Sequence, residues 1–114
     1  MWPRRGPSSR PSVVPALWRL EVANVLHLAV RRRRLDAAGC DATLADLALL
    51  DIRADVETDR HAWGETRNLA ERHGLTLYDA CYLELARRRA LPLATLDREL
   101  RAAAQAAGVA LLGL

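Results

Sequence analysis

One stretch, LTLYDACYLELARRRALPLATLDREL at Leu75–Leu100, constrains the fold of this chain more than any other. A helix predicted over Tyr78–Arg89 is followed by a proline, which cannot continue it. The apolar segment Leu93–Thr95 then predicts a short buried strand, and Asp97 directly after it begins another helix. Helices and strands that alternate in this way predict an α/β fold with a parallel sheet.

Further strands and helices are predicted outside this stretch. The predicted strands are Ser12–Pro15, Ile52–Val56 and Val109–Leu112, and the predicted helices are Ala16–Arg33, Asp41–Leu50, one between Thr58 and Gly74, and one from Asp97 to Gly108. Thr58 is a typical N-cap residue, and Gly74 is typical of a helix stop. Apolar residues crowd nearly every position of the Ala16–Arg33 helix, so we expect other elements to cover it. Trp63 is expected to pack inward.

The chain has the length of one domain, at 114 residues. Residues 1–12 contain three prolines, three arginines and three serines. This composition predicts a disordered basic tail, because it cannot bury enough apolar surface to order itself. We expect the folded domain to span residues 13–114.

Composition excludes several classes of protein. Two cysteines, Cys40 and Cys81, are too few for a disulfide scaffold and lack zinc-site spacing, and the three histidines form no metal motif. The net charge of +3, with arginine as the only basic residue, permits an RNA or acidic-peptide partner without requiring one. No stretch reaches the ~18–20 apolar residues of a membrane span, and no signal peptide is recognisable. We therefore expect a cytoplasmic protein without a membrane contact.

Three carboxylates carry the chemistry that we predict. Asp79 and Asp97 each stand where a helix begins, a position in which an acid ordinarily satisfies free backbone N–H groups. Glu21 lies in a largely apolar helix, where it needs a partner to offset its desolvation. Ligands gather at the carboxyl ends of strands in open α/β sheets, so we expect the three acids to meet there. Mg²⁺ or Mn²⁺ would neutralise them and keep waters that can attack a phosphodiester.

A polar stripe runs along the same helix as Glu21. Glu21, Asn24, His27 and Arg31 recur at spacings of three and four, so they share one face. The stripe is either a narrow solvent-facing strip or the wall of a polar cleft that Glu21 and Asn24 enter. Arg31–Arg34 end the helix as a positive run, which suits the helix dipole, and contact with phosphate is the alternative role.

Three segments carry a resemblance to a known family: PALWRLEVANVL (Pro15–Leu26), HGLTLYDACYLELA (His73–Ala86) and PLATLDREL (Pro92–Leu100). They resemble PIN-domain proteins, specifically the VapC-like toxins of bacterial toxin–antitoxin pairs, and the similarity runs from about Val13 to Leu112. The resemblance implies a three-layer α/β/α fold with a short parallel sheet. It also implies Mg²⁺-dependent endoribonuclease activity, dimerisation and inhibition by a cognate antitoxin.

By this resemblance, Glu21, Asp79 and Asp97 match the metal-site acids of the family. Asn24 matches a polar position one turn beyond the glutamate, and Thr95 lies beside the last acid. The family begins with a strand that carries an aspartate in a D-x-S-like motif and is followed by a helix, and nothing before Val13 matches it. We therefore expect an incomplete metal site and weak or absent cleavage.

We interpret the chain as a PIN-like α/β domain, without its first strand and helix, of a metal-dependent ribonuclease toxin. The main alternative is a non-catalytic module that binds RNA or an antitoxin, with a groove for an amphipathic helix. A second alternative is an all-helical regulatory protein. Cleavage that depends on metal and on the acids distinguishes the ribonuclease from the binding module. Strand content distinguishes both of these from the all-helical protein.

Overall fold

Helices and strands alternate along the chain, as the sequence predicts. The computed structural model describes residues 11–112. Within them lie β1 (Ser12–Pro15), α1 (Trp18–Arg31), α2 (Ala37–Ala48), β2 (Ile52–Asp55), a short 3₁₀ turn (Asp59–His61), α3 (Glu65–His73), α4 (Leu77–Arg89) and α5 (Arg98–Ala106). The predicted α/β class is confirmed. Residues 1–10 of the predicted tail lie outside the described residues, and the tail stays a prediction.

The parallel sheet is built in two pieces. β1 and β2 pair in parallel over their whole length. Leu93 forms an isolated parallel bridge with Leu111, and its N–H donates to Ala110 O at 2.8 Å. The strands predicted at Leu93–Thr95 and Val109–Leu112 are therefore reduced to this bridge. Across the part of the chain that is described, no strand joins the two pieces.

Local signals place most helix ends where we expect them. The side chain of Thr76 caps α4, and that of Asp97 caps α5. Gly74 follows α3 at φ 65°, and Gly108 lies two residues beyond α5 at φ 76°. These are left-handed conformations that glycine adopts without steric cost, so both glycines end helices as predicted.

Two helices differ from the prediction by more than two residues. α2 begins four residues before the predicted Asp41, because Asp36 accepts a hydrogen bond from Gly39 N at 2.7 Å and caps the helix earlier. The helix expected from Thr58 is divided into the 3₁₀ turn and α3, with Gly64 directly before α3. Glycine has a low helix propensity, which accounts for a break at this place.

Two burial predictions are wrong. Trp18 is the only buried residue of α1, whereas Leu20 and Val25 are largely exposed. Trp63, predicted to pack inward, is 90% exposed. α1 packs mainly against α2, which has no buried residue of its own. The two helices form a hairpin, called here the α1–α2 hairpin, whose apolar side chains have little cover.

The hydrophobic core lies instead between α3, α4 and α5. Leu69 of α3 and Leu83 of α4 are fully buried at its centre. The remaining core residues are Ala70, Leu75, Ala80, Ala86, Leu93, Leu100, Ala103, Ala104 and Val109. Alanine is frequent in this set, and its small side chain lets neighbouring helices approach closely. None of the helices in residues 11–112 has the length and apolar character needed to cross a membrane.

An arginine between two buried carboxylates joins the β1–β2 pair to α4. Arg88 Nη1 donates to Asp55 Oδ1 at 3.2 Å, and Arg88 Nε donates to Glu84 Oε2 at 2.6 Å. Asp55 and Glu84 are both buried. The Thr58 hydroxyl donates to Asp55 Oδ2 at 3.0 Å and accepts from Ala16 N at 3.0 Å. This Arg88 network therefore connects the ends of both strands to the middle of the fold.

Replacing Arg88 with methionine should destabilise the fold by roughly 3–5 kcal/mol, because two buried carboxylates lose their cation. The free energy of unfolding in urea, followed by circular dichroism at neutral pH, measures the loss. Arg89→Met is the matched control: Arg89 is half-exposed and lies 3.9 Å from Asp55, so its loss should cost less than about 1 kcal/mol. Equal losses in the two variants would contradict the structural role of Arg88.

Stability should also fall in acid through Asp55. The hydrogen bond from Arg88 lowers the pKa of Asp55 below its ordinary value of 3.8, against the opposing effect of burial. A carboxylate with a lowered pKa stabilises the fold above the unfolded value, and the contribution is lost as pH falls through the folded value. Urea unfolding across the acid range should therefore show a weaker pH dependence in Asp55→Asn than in the wild type. The same pH dependence in both would exclude this contribution.

Candidate functional site

Asp79 lies in the first turn of α4 and is half-buried. The backbone of Thr76 is extended, and its Oγ1 accepts a hydrogen bond from Asp79 N at 3.1 Å. This bond satisfies one of the free N–H groups at the helix start. It therefore fixes the backbone from which the Asp79 carboxylate projects.

Asp97 lies just beyond the Leu93 bridge, at the N-cap of α5. Its Oδ2 accepts a hydrogen bond from Leu100 N at 2.8 Å, so the carboxylate caps its own helix. Thr95 is buried, and its Oγ1 accepts a hydrogen bond from Asp97 N at 3.1 Å. Thr95, predicted as a supporting polar residue, thus holds the backbone of Asp97.

The carboxylates of Asp79 and Asp97 lie within electrostatic reach of each other. The pKa of Asp79 is raised, first by burial and then by the negative charge of Asp97, while a hydrogen bond with Thr76 opposes the shift. Two carboxylates that repel each other in this way are stabilised by a nearby cation. These two predicted acids therefore interact through their charges, and they are called the acid pair below.

Glu21 meets α4 through a tyrosine. Tyr82 Oη donates to Glu21 Oε1 at 2.8 Å, although the two residues are 61 positions apart in the chain. The pKa of Tyr82 is raised by burial, then by the hydrogen bond and the charge of Glu21, with a smaller contribution from Asp79. Tyr82 follows Asp79 by three residues, which places both on the same side of α4. Glu21 therefore lies against the face of α4 that carries Asp79, one residue of the acid pair.

A comparison with protein families shows which family the chain belongs to. The model of the PIN domain matches residues 8–106, which include the three acids and both strands and all five α-helices of the described residues 11–112. The chain belongs to the PIN-domain family. The parallel pairing and the flanking helices are consistent with the PIN-like α/β/α fold. A search of curated proteins found no match.

The PIN family supplies a chemical context for the acids. PIN domains are typically nucleases that depend on divalent metal ions. The PIN resemblance inferred from the three sequence segments is thus confirmed at the level of the domain family.

The residues of this PIN domain fit a divalent ion in part. Within residues 11–112, no group of three or more His, Cys, Asp or Glu side chains has an arrangement that could hold a metal ion. Glu21 is bonded to Tyr82, and Asp97 is bonded to the start of its own helix, which limits their approach to Asp79. Mg²⁺ commonly binds through one or two carboxylates and keeps several waters, which suits the acid pair. That all three acids share one ion stays a prediction.

The other predicted site residues lie on α1 and beyond its end. Asn24 is exposed, one turn after Glu21. Arg31 is in the last turn of α1, and Arg32, Arg33 and Arg34 follow it, all exposed. At a rise of about 1.5 Å per residue, Arg31 lies ~15 Å along the helix from Glu21. The basic run is therefore separated from Glu21 by most of the length of α1.

Sequence reasoning missed Tyr82 and the Arg88 network. The spacing of three between Asp79 and Tyr82, and of four between Glu84 and Arg88, indicated shared helix faces. Nothing local identified their partners on other elements, because Glu21 and Asp55 lie 61 and 33 positions away. The network pairs both of its carboxylates with Arg88 and is structural, whereas Tyr82 bonds the predicted site residue Glu21.

Replacing Asp97 with asparagine should lower the pKa of Asp79, because the substitution removes the negative charge that raises it. Asparagine caps helices about as well as aspartate, so α5 should be retained. The pKa is measured by NMR, from the titration of the Asp79 carboxyl carbon.

Glu99→Gln is the matched control for this titration. Glu99 is an exposed acid in the first turn of α5 and does not contribute to the shift of Asp79. The Glu99→Gln substitution should leave the pKa of Asp79 unchanged. An unchanged pKa in Asp97→Asn would show that the two carboxylates do not interact.

Proposed function

We propose that this PIN domain is an endoribonuclease of the VapC toxin type that hydrolyses RNA phosphodiester bonds with Mg²⁺ or Mn²⁺. The observation that carries the proposal is the acid pair, in which burial and then the negative charge of Asp97 raise the pKa of Asp79 at the start of α4. Perturbed carboxylates of this kind cluster at functional sites. Membership of a family of metal-dependent nucleases supports the same reaction. A cytoplasmic location is part of the proposal, because the RNA substrate would be found there.

The residues divide into binding and supporting roles. Asp79 and Asp97 would bind the ion, and Glu21 would supply a further carboxylate oxygen from α1. A bound divalent ion supplies Lewis-acid stabilisation of the charge that develops on a phosphoryl group. Thr95 holds the backbone that carries Asp97.

Asn24 and the arginines at the end of α1 complete the proposed site. Asn24 is exposed one turn beyond Glu21, where its amide can bond a ribose or phosphate oxygen. Arg31–Arg34 are exposed ~15 Å from Glu21 along α1, so they suit a phosphate further along a bound strand.

We propose a cognate antitoxin and a second copy of the chain as protein partners. The α1–α2 hairpin supports this part of the proposal, because Leu20 and Val25 on α1, and Leu49 directly after α2, are largely exposed. An amphipathic antitoxin helix could bury part of this surface and place an Arg or Lys against the acid pair.

A non-catalytic binding module remains a second candidate, favoured by one observation. Among residues 11–112, the three acids do not form a group that could hold a metal ion. With two interacting carboxylates in place of three, ion affinity is reduced, and we propose that cleavage by this chain is weak. A module that has lost cleavage would keep the exposed basic run and the hairpin for binding.

The purified chain should cleave a fluorogenic single-stranded RNA when Mg²⁺ or Mn²⁺ is present and not when EDTA is added. Asp79→Asn and Asp97→Asn should each reduce the rate by at least about tenfold, the smallest loss typical of substitutions around a metal site. Asp41→Asn, which neutralises an exposed acid of α2 away from the site, should keep the wild-type rate.

Other outcomes of this assay decide between the candidates. Cleavage that persists in EDTA or in both acid variants would contradict the proposed nuclease. A folded wild-type chain that retains RNA in a filter-binding assay without cutting it would favour the binding module.

A further inference from the structure

We propose that Arg33 and Arg34 bind a phosphate group of single-stranded RNA in an open hollow between the end of α1 and the start of α2. The hollow has a volume of about 330 Å³ and is lined by Val30, Arg33, Arg34, Leu35 and Asp36. This inference deepens the proposed function: it rests on the RNA substrate but needs neither cleavage nor a metal ion.

The backbone of Arg33 has a conformation that arginine rarely adopts. Two hydrogen bonds end α1 in a Schellman motif, from Arg34 N to Ala29 O at 2.9 Å and from Arg33 N to Val30 O at 3.1 Å. The motif requires one left-handed residue, and Arg33 fills this position at φ 57°. Glycine is the usual residue there, because a Cβ atom is strained in this conformation. The chain therefore carries a strained side chain where the helix end alone favours glycine.

The dipole of α1 does not account for this side chain. Positive charge stabilises the C-terminal end of a helix, and Arg31 in the last turn and Arg32 directly after it already supply two charges. A glycine at position 33 would keep both of these charges and remove the strain. Backbone strain of this kind is concentrated at functional sites, so it indicates a role for the Arg33 side chain beyond ending the helix.

The basic run Arg31–Arg34 is available for a ligand. All four side chains are exposed, and within the described residues 11–112 none of them forms an ion pair or a side-chain hydrogen bond. The exposed Arg53 and Arg60, in contrast, each pair with an acid close in sequence. Asp36 accepts a hydrogen bond from Gly39 N at 2.7 Å, so its negative charge is directed to the positive end of α2.

The chemistry of two consecutive arginines favours a phosphate as the ligand. A guanidinium presents five N–H donors in a planar fork that matches pairs of phosphate oxygens. The volume of the hollow lies at the lower end of the ~300–1,000 Å³ that is usual for ligand sites, which suits one phosphate with part of its sugar. The net charge of +3 and membership of a nuclease family favour RNA as the source of that phosphate.

Replacing Arg33 with glycine should change stability and binding in opposite directions. The strained Cβ is removed, so the midpoint of thermal unfolding should rise by roughly 2–6 °C. A guanidinium is also removed, so the affinity for a fluorescent single-stranded RNA, measured by anisotropy in EDTA, should fall roughly threefold to tenfold. Arg34→Gln should weaken binding by a similar factor without raising the midpoint. A residue that only ended the helix would not weaken binding while the fold became more stable.

Ala90→Gly is the matched control for the backbone. Ala90 is exposed and ends α4 at φ 52°, and the N–H groups of Ala90 and Leu91 donate to Arg87 O and Ala86 O in the same motif. The substitution should raise the unfolding midpoint as Arg33→Gly does and leave the RNA affinity unchanged. Equal losses of affinity in the two variants would contradict the role of the Arg33 side chain.

The salt dependence of binding tests whether the lost contact is with a phosphate. For a single strand, each phosphate contact adds about 0.7 to the slope of log affinity against log salt. The slope should therefore decrease by about 0.7 in Arg33→Gly. Arg72→Gln, at an exposed arginine in the last turn of α3, should keep the wild-type slope.

Competition experiments with the wild type identify the source of the phosphate. Polyuridylate should displace the labelled RNA, whereas polyglutamate of the same charge should not. Equal competition by polyglutamate would show a general affinity for acidic polymers and overturn the assignment. Displacement by micromolar inorganic phosphate would show a site for the free ion and overturn RNA as the ligand.

The outcomes separate this inference from the proposed nuclease. RNA that is bound through Arg33 but not cut would support the inference and contradict the nuclease. Cleavage by the wild type together with wild-type RNA affinity in Arg33→Gly would overturn the inference and leave the nuclease standing. A folded wild-type chain that binds no RNA in EDTA would also overturn the inference, and the cleavage assay would still decide on the nuclease.

Discussion

The fold depends on one buried ionic contact, the guanidinium of Arg88 between Asp55 and Glu84. Each of these charges alone would be costly to bury, and the single guanidinium offsets part of that cost for both carboxylates through hydrogen bonds of defined geometry. The contact joins the short β1–β2 pair to α4, and a pair of four-residue strands has little stability of its own. The sheet is thus held by a helix side chain as well as by its own hydrogen bonds.

The same helix carries the candidate site, which couples stability to function. Asp79 is in the first turn of α4, Tyr82 follows one turn later, and Arg88 is in the last turn. A shift of α4 relative to β2 would therefore also move Asp79 away from Asp97, whose backbone is fixed separately through Thr95. Losing the Arg88 contact should disturb the acid pair even though Arg88 does not contact it.

Sequence patterns predicted what depends on near neighbours and failed where distant elements decide. The caps at Thr76 and Asp97 and the stop at Gly74 follow from hydrogen bonds and φ angles within a few residues. The partner of Tyr82 lies 61 positions away, so no local pattern identifies it. The apolar character of α1 shows which surface can be covered but not what covers it, which is why its burial was predicted wrongly. Three acids could be proposed as a site from the sequence, and that they share one ion stays a prediction.

The charges of the site favour a binding role over a purely structural one. Helix capping explains a side-chain oxygen at position 97, but asparagine would provide it without repelling Asp79. A glutamine at position 21 would likewise accept the proton of Tyr82 without bringing a negative charge towards α4. The structural contacts therefore require oxygen acceptors and not negative charge. The repulsion between Asp79 and Asp97 opposes the favourable interaction of each carboxylate with the dipole of its own helix, and this repulsion is offset when a cation binds.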